Sequence, residues 1–440
     1  MTTLPRLLVI MGSGETAPTM KAVHRAVFDR IAAVTGGKVD AVLIDTPFGF
    51  QENAPTLAAK TVEYFMDTAE RHVEIAGLGR TDTGDVVAVE TAIARIRAAD
   101  WVFAGPGSPT FALEQWRGTV LPDTLADKLR PGGPGGAVVF SSAAALTLGR
   151  ATIPVYEIYK AGHDPFWLDG LDLLTPLGLP VAVIPHYDNK DGGNHDTSKC
   201  FLGERRLRIM EAELPNDVFV LGVDEHTGVI IDLDAETAEV VGRGGVTLRS
   251  DGASVRIEAG TTVALEVLRS GGGDHAAPIV ADATGGGGAG ADLAVASSGV
   301  SDEVPSLRAV TARLEEAFDV ALGARDSDAA VAALLTLEAA IVEWSRDTLQ
   351  GDDLDRARAA LRAMIVRLGA VATDGVRDMR DVLGPVVEAA LAARVTARAD
   401  KAFGVSDAIR DNLTAAGIEV RDTPEGVEWL VLDPSNDGSR

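Results

Sequence analysis

The sequence predicts an α/β domain built on a mostly parallel sheet flanked by helices, with antiparallel hairpins at its end, then a linker and a C-terminal α-helical bundle. Three observations carry this. In the first half, short apolar runs alternate with segments of helical period, the pattern of strand–helix–strand units. After about residue 218 apolar and polar residues alternate between Gly and Asp-Gly turns, which marks hairpins. Beyond residue 303, alanine-rich segments of helical period follow one another.

The strands expected in the first part are "RLLVIM" (residues 6–11), "AVLIDTP" (41–47), "HVEIAGL" (72–78), "WVFAGPG" (101–107) and "AVVFSS" (137–142). Helices are expected over residues 54–70 and 86–98 between them. In such sheets ligands sit beyond the carboxyl ends of the strands, so strand ends followed by small residues are where a site is sought. "VFVLGVDEHTGVIIDL" (218–233) and the stretch 238–268 read as the closing hairpins. Residues 269–303 are dominated by Gly, Ala and Ser and lack aromatics, which predicts a flexible linker. Helices are expected over 307–320, 328–348, 353–368 and 383–402, with a small terminal element after them. The expected domains are therefore residues 1–268 and 304–440, joined by 269–303.

Bulk properties narrow the function classes. The 440-residue chain is 46% hydrophobic and 24% charged, enough to bury a sizeable core. A net charge of -25 argues against non-specific binding to nucleic acid or an anionic membrane. The single cysteine, Cys200, excludes an internal disulfide framework and fits a reducing compartment. The N-terminal apolar run is too short for a signal peptide and no run is long enough to span a bilayer, so a cytoplasmic protein is expected.

The stretch "GAVVFSSAAALTLG" (136–149) runs from a buried strand directly into a helix through two serines and three alanines. A serine nucleophile on such a turn needs small neighbours, because the backbone is strained there and comes close to other elements. Two further strand ends carry matching groups. "VAVIPHYDN" (181–189) places His186 beyond an apolar strand, and "VLGVDEHTGVIID" (220–232) places Asp224 and Glu225 beyond another. A serine, a histidine and a carboxylate at three strand ends form a possible triad. Asp224 and Glu225 are adjacent on an extended segment and point to opposite faces, so only one can reach His186. His195 and Cys200, in a loop near His186 and Asp188, lack an established metal-ligand spacing and read as parts of an ordinary polar loop. His226 is expected to face solvent.

Four segments resemble the serine peptidase family of aspartyl dipeptidase and cyanophycinase, which has a class I glutamine amidotransferase-like fold. "GSGE" (12–15) is similar to that family's first glycine turn, "GSPTFAL" (107–113) to its "GGNTFxL" oxyanion loop, "SSAAA" (141–145) to its "xSAGA" elbow, and "GVDEHTG" (222–228) to the segment with its acidic triad member. The resemblance implies Ser142 as nucleophile, His186 as general base and Glu225 as the carboxylate that orients it. It implies the amides of Ala143 and Ser108 as the oxyanion hole, and Arg205 and Arg206 as a clamp for a substrate carboxylate. The implied activity is hydrolysis of a small peptide or amide bond, next to an acidic residue, with no cofactor. The chain departs from the family pattern at Phe140, at Ala144, at Ser108–Pro109 and in an insertion at 190–201. These departures keep a second reading open, a non-catalytic ligand-binding or scaffolding protein.

"AARVTARADKAFGVSDAIRDNLTAAGIEVRDTPEGVEWLV" (392–431) resembles the C-terminal anticodon-binding region of cysteinyl-tRNA synthetases. The helices before it are similar in texture to the bundle of those enzymes. No "HIGH"-type or "KMSKS"-type signature and no zinc-binding cysteine cluster accompanies it, so cysteine–tRNA ligase activity is not expected. The resemblance implies contact with tRNA or a protein partner. Arg394, Arg398 and Lys401 on one helical stretch are the cations available for phosphate.

Overall fold

The computed structural model describes residues 3–192, 194–250, 252–272, 305–345, 352–376, 379–423 and 426–432. The expected linker at 269–303 lies almost wholly outside the described residues; its first residues close a short helix. The chain divides into two compact units, Met1–Arg313 with Thr336–Arg358, and Leu314–Leu335 with Ala359–Arg440.

The first unit contains the expected α/β architecture. Strands β1 (Arg6–Met11), β2 (Ala41–Ile44), β3 (Glu74–Ile75), β4 (Trp101–Ala104) and β5 (Gly136–Ser141) are parallel, in the order β1-β5-β4-β2-β3. Helices α1 (Lys21–Thr35), α2 (Ala54–Asp67), α3 (Val86–Ala98), α4 (Pro109–Trp116) and α5 (Leu121–Leu129) connect them. β1, β2, β4 and β5 are apolar almost throughout because both faces of the sheet are covered. One face packs Phe28, Phe65, Trp101 and Phe103 into an aromatic core, and the other buries Ile96, Trp116, Leu125 and Phe140. Sequence signals set several boundaries. Asp85 caps α3 by accepting from Ala88 N–H at 3.0 Å, and Gly36 ends α1 in the left-handed region at φ 75°. β3 is shorter than the expected strand at 72–78.

The hairpins divide between two sheets. After β6 (Ala151–Thr152) and β7 (Leu168–Asp169) come β8 (Val181–Ile184), helix α7 (Gly203–Glu211), β9 (Phe219–Val223), β10 (Thr227–Asp232), β11 (Thr237–Gly242), β12 (Gly245–Ser250), β13 (Ala253–Glu258) and β14 (Thr262–Ala264). β10, β11 and β14 extend the main sheet antiparallel beyond β1. β8 and β9 pair in parallel in a second, four-stranded sheet ordered β13-β12-β9-β8. The strands before His186 and Glu225 therefore belong to a different sheet from the strand before Ser142. Helix α8 (Leu265–Arg269) follows.

The helical region comprises α9 (Leu307–Ala324), α10 (Ser327–Trp344), α11 (Asp353–Val376), α12 (Met379–Ala399) and α13 (Phe403–Ala415). The terminal element is an antiparallel hairpin of β15 (Ile418–Thr423) and β16 (Gly426–Val431). Within the second unit, Val387 and Leu391 of α12 pack with Ile418 and Trp429 of the hairpin. No described helix is long and apolar enough to cross a membrane.

Candidate active site

Strand register brings the chemistry together. Met11 pairs with Ser141 across β1 and β5, so the glycine turn at Gly12 lies beside the turn at Ser142. Ile184 pairs with Gly222 across β8 and β9, so the segments leading to His186 and Glu225 also end side by side. The two sheets meet at Gly12, whose carbonyl accepts from His186 N–H at 3.3 Å. A Cβ on Gly12 would lie 1.9 Å from the Asp224 carbonyl oxygen, so only glycine permits this approach.

β5 passes without a loop into α6 (Ser142–Thr147), and Ser142 turns the corner at φ 50°. A non-glycine residue in that region is strained, and the surroundings must hold it. Ala143, Ala144 and Ala145 are buried, and Ala144 N–H donates to the Gly105 carbonyl at 3.2 Å. Ser141 points away from the turn, and its hydroxyl donates to Glu15 Oε2 at 2.8 Å. The Glu15 carbonyl in turn holds His24 Nε2 at 2.8 Å, and burial pushes that ring down to about 4. Phe140 and Ala144, two departures from the family pattern, are fully buried core residues.

Ser142 Oγ lies 3.0 Å from His186 Nε2, and His186 Nδ1 lies 2.8 Å from Glu225 Oε1. A carboxylate only accepts, so Nδ1 carries the proton and Nε2 is free to accept from the serine hydroxyl. His186 sits at φ 49° and is 6% exposed, with the Phe201 ring 5.7 Å from its own. Burial raises the Glu225 pKa, but the hydrogen bond and charge of His186 and the Asn189 amide outweigh it, and the net direction is down. Glu225 is thus held as a carboxylate.

Asp224 faces elsewhere, accepting from Gly245 N–H at 2.9 Å and pairing with Arg256 at 2.6 Å. Among the expected oxyanion donors, Ala143 is the second residue of α6, where an amide has no intrahelical acceptor. Ser108 corrects the expectation. Its N–H donates to the Pro47 carbonyl at 2.8 Å and its hydroxyl caps α4 on Phe111 N–H at 3.1 Å, so both groups are used within the fold. Arg205 and Arg206 lie on α7. Arg205 is exposed, and Arg206 donates to the Leu202 carbonyl at 3.4 Å. Among the described residues no hydrogen bond or ion pair ties either arginine to Ser142, His186 or Glu225. His226 does not face solvent. It is partly buried, with Nδ1 2.9 Å from Thr19 Oγ1, and burial lowers its pKa to about 4. Cys200 is buried and burial pushes its thiol up, which leaves it inert at neutral pH.

The sequence reading gave Asp188 and Asn189 no role at Glu225. Asp188 Oδ1 accepts from Glu225 N–H at 2.8 Å, and Asn189 Nδ2 donates to Glu225 Oε1 at 2.8 Å. Their adjacency to His186 in "HYDN" was the available signal. Among the described residues no group of three or more His, Cys, Asp or Glu is placed to hold a metal ion.

Residues 380–429 match the family model described as the cysteinyl-tRNA ligase anticodon binding domain. Cysteine–tRNA ligase of Nitratidesulfovibrio vulgaris (strain DSM 19637 / Miyazaki F) is 63% identical over 46 residues, 10% of this chain and 10% of that protein. The enzyme of Arthrobacter sp. (strain FB24) is 38% identical over 117 residues, 25% of this chain and 24% of that protein. The chain thus spans a quarter or less of the length of these curated relatives. Two solved structures are also similar. A peptidase from an acI-B1 Actinobacterium is 18% identical with a TM-score of 0.47, covering 60% of this chain and 98% of that one. A putative peptidase E protein from Listeria monocytogenes EGD-e is 11% identical with a TM-score of 0.33, covering 58% of this chain and 100% of that one. The C-terminal resemblance read from the sequence is thereby shown over residues 380–429.

Proposed function

We propose that the α/β domain is a serine hydrolase of small peptide or amide bonds. The observation that carries this is the continuous relay from Ser142 through His186 to Glu225, at 3.0 and 2.8 Å, with Ser142 on a strained strand-to-helix corner. His186 Nε2 takes the hydroxyl proton as Ser142 Oγ attacks the carbonyl carbon, and the Ala143 amide faces the developing oxyanion. Glu225 stabilises the imidazolium without taking its proton. His186 then protonates the leaving amine, and a water activated by the same ring releases the acyl group. A preference for acidic substrates rests on the family resemblance, since neither Arg205 nor Arg206 is tied to the relay.

The test is intact-mass labelling with a fluorophosphonate. One adduct is expected on the wild type and none on Ser142→Ala or His186→Ala. A folded wild type that takes no adduct would overturn the reading in favour of a non-catalytic pocket.

For the C-terminal region we infer a folded module that contacts a protein rather than tRNA. Arg394 is 1% exposed and grips Asp422 through two bonds of 2.7 Å, and Arg398 reaches the same carboxylate at 3.3 Å. Residues 380–429 carry six Lys and Arg against nine Asp and Glu. Cations spent on carboxylates do not neutralise phosphates. Salt-dependent tRNA binding at micromolar protein would overturn this inference.

A further inference from the structure

We propose that Asn189 is a positioning residue that clamps the Glu225 carboxylate and thereby sets the aim and basicity of His186, an inference that rests on the triad reading above. Asn189 is 2% exposed, although it follows a partly exposed turn. Its backbone N–H donates to the His186 carbonyl at 3.2 Å, and its side-chain Nδ2 donates to Glu225 Oε1 at 2.8 Å. One residue therefore ties the base to its carboxylate, by backbone at one end and side chain at the other. The amide orientation follows from its partners. Nδ2 also lies 3.1 Å from Asp191 Oδ2, and Oδ1 accepts from Asp191 N–H at 3.2 Å, so the nitrogen faces two carboxylates and the oxygen a donor. Asp188 adds the second grip by accepting from Glu225 N–H.

The chemistry explains why a neutral donor suits this position. A glutamate side chain has a soft terminal torsion, and a carboxylate aimed only by the histidine it must aim would wander. A hydrogen bond to the ionised form also keeps it ionised. A lysine or arginine would do both, but its charge would oppose imidazolium formation on His186. Among the described residues Glu225 has no ion pair with Lys or Arg. The titratable groups that act on it or feel it are His186, Asp188, Asp191, Cys200 and His226, while Asp224 is turned to Arg256.

The experiment follows the pH dependence of fluorophosphonate labelling at Ser142 in the full-length wild type, Asn189→Ala and the isosteric Asn189→Asp, alongside NMR titration of the His186 ring. Losing the donor leaves more of the Glu225 charge for the imidazolium, so in Asn189→Ala the acid limb moves to higher pH and labelling slows about tenfold. In Asn189→Asp the added negative charge moves both the limb and the ring titration up by about one pH unit or more. Acid limbs and ring titrations that superimpose on the wild type in both variants, or that move down, would overturn the role whatever happens to the rate. If the wild type is not labelled, the triad reading fails, while the ring titration still reports on the clamp.

Discussion

Both units bury a cationic or potentially cationic side chain against a carboxylate, and the two pairs are built for opposite ends. In the second unit Arg394 makes a two-bond contact with Asp422 and keeps its charge at any pH the fold survives. Nothing in that pair can exchange a proton near neutrality, so it locks α12 to the terminal hairpin. In the first unit Glu225 meets His186, whose neutral ring donates from one nitrogen and accepts at the other. Its other nitrogen is aimed at the Ser142 hydroxyl. The same interaction class thus gives a fixed strut in one region and, in the function proposed above, a proton relay in the other. The partner residue, and what its far side touches, decide which.

The sharpest way to break the comparison is at the relay carboxylate. Glu225→Gln keeps the shape but removes the charge that supports the imidazolium and allows the wrong tautomer. Labelling of Ser142 should fall by about 10²–10⁴-fold with the fold intact by circular dichroism. Gly12→Ala acts on the meeting of the two sheets. Its Cβ has no room beside the Asp224 and Val223 carbonyls, so labelling should fall at least about tenfold, and the melting temperature of the unit should drop with it. The corresponding change at the strut, Asp422→Ala, strands the buried Arg394. It should lower the melting temperature of the C-terminal unit by about 5 °C or more while Ser142 labelling stays at the wild-type rate.

Acid titration gives the smallest and most graded contrast. Arg394 is the main cause that holds the Asp422 pKa down at about 2. A depressed carboxylate contributes stability above its unfolded value, about 3.9, and that contribution disappears as pH falls through the folded value. The C-terminal unit should therefore lose stability progressively between about pH 4 and pH 2, followed by far-ultraviolet circular dichroism. In Asp422→Asn this part of the dependence should vanish.

Much of the fold was legible in the sequence. The strands at 6–11, 41–44, 101–104 and 136–141 are continuous apolar runs because the sheet is covered on both faces, and α3 matches the expected 86–98. The candidate site was legible as three separate strand ends. The choice of Glu225 over Asp224 was carried by resemblance, since alternation says only that one of them faces His186. The resemblance offered the Ser108 amide as an oxyanion donor, and only the neighbouring loop shows that the Pro47 carbonyl accepts from it. Arg394 looked like a phosphate ligand for a similar reason, since its partner Asp422 is 28 residues away.

The sequence by itself determined the parallel strands at 6–11, 41–44, 101–104 and 136–141, helices α2 and α3, the change of texture near residue 218 and the small-residue corner at Ser142. These depend on periodicity and propensity among near neighbours, which a chain carries locally. Only the tertiary structure decided that β8 and β9 leave the main sheet, that the two sheets touch at Gly12, and that Ser142 meets His186 across 44 residues and Glu225 meets His186 across 39. Those contacts rest on which strand edge pairs with which and on how closely two backbones approach, and neither is set by the residues on either side.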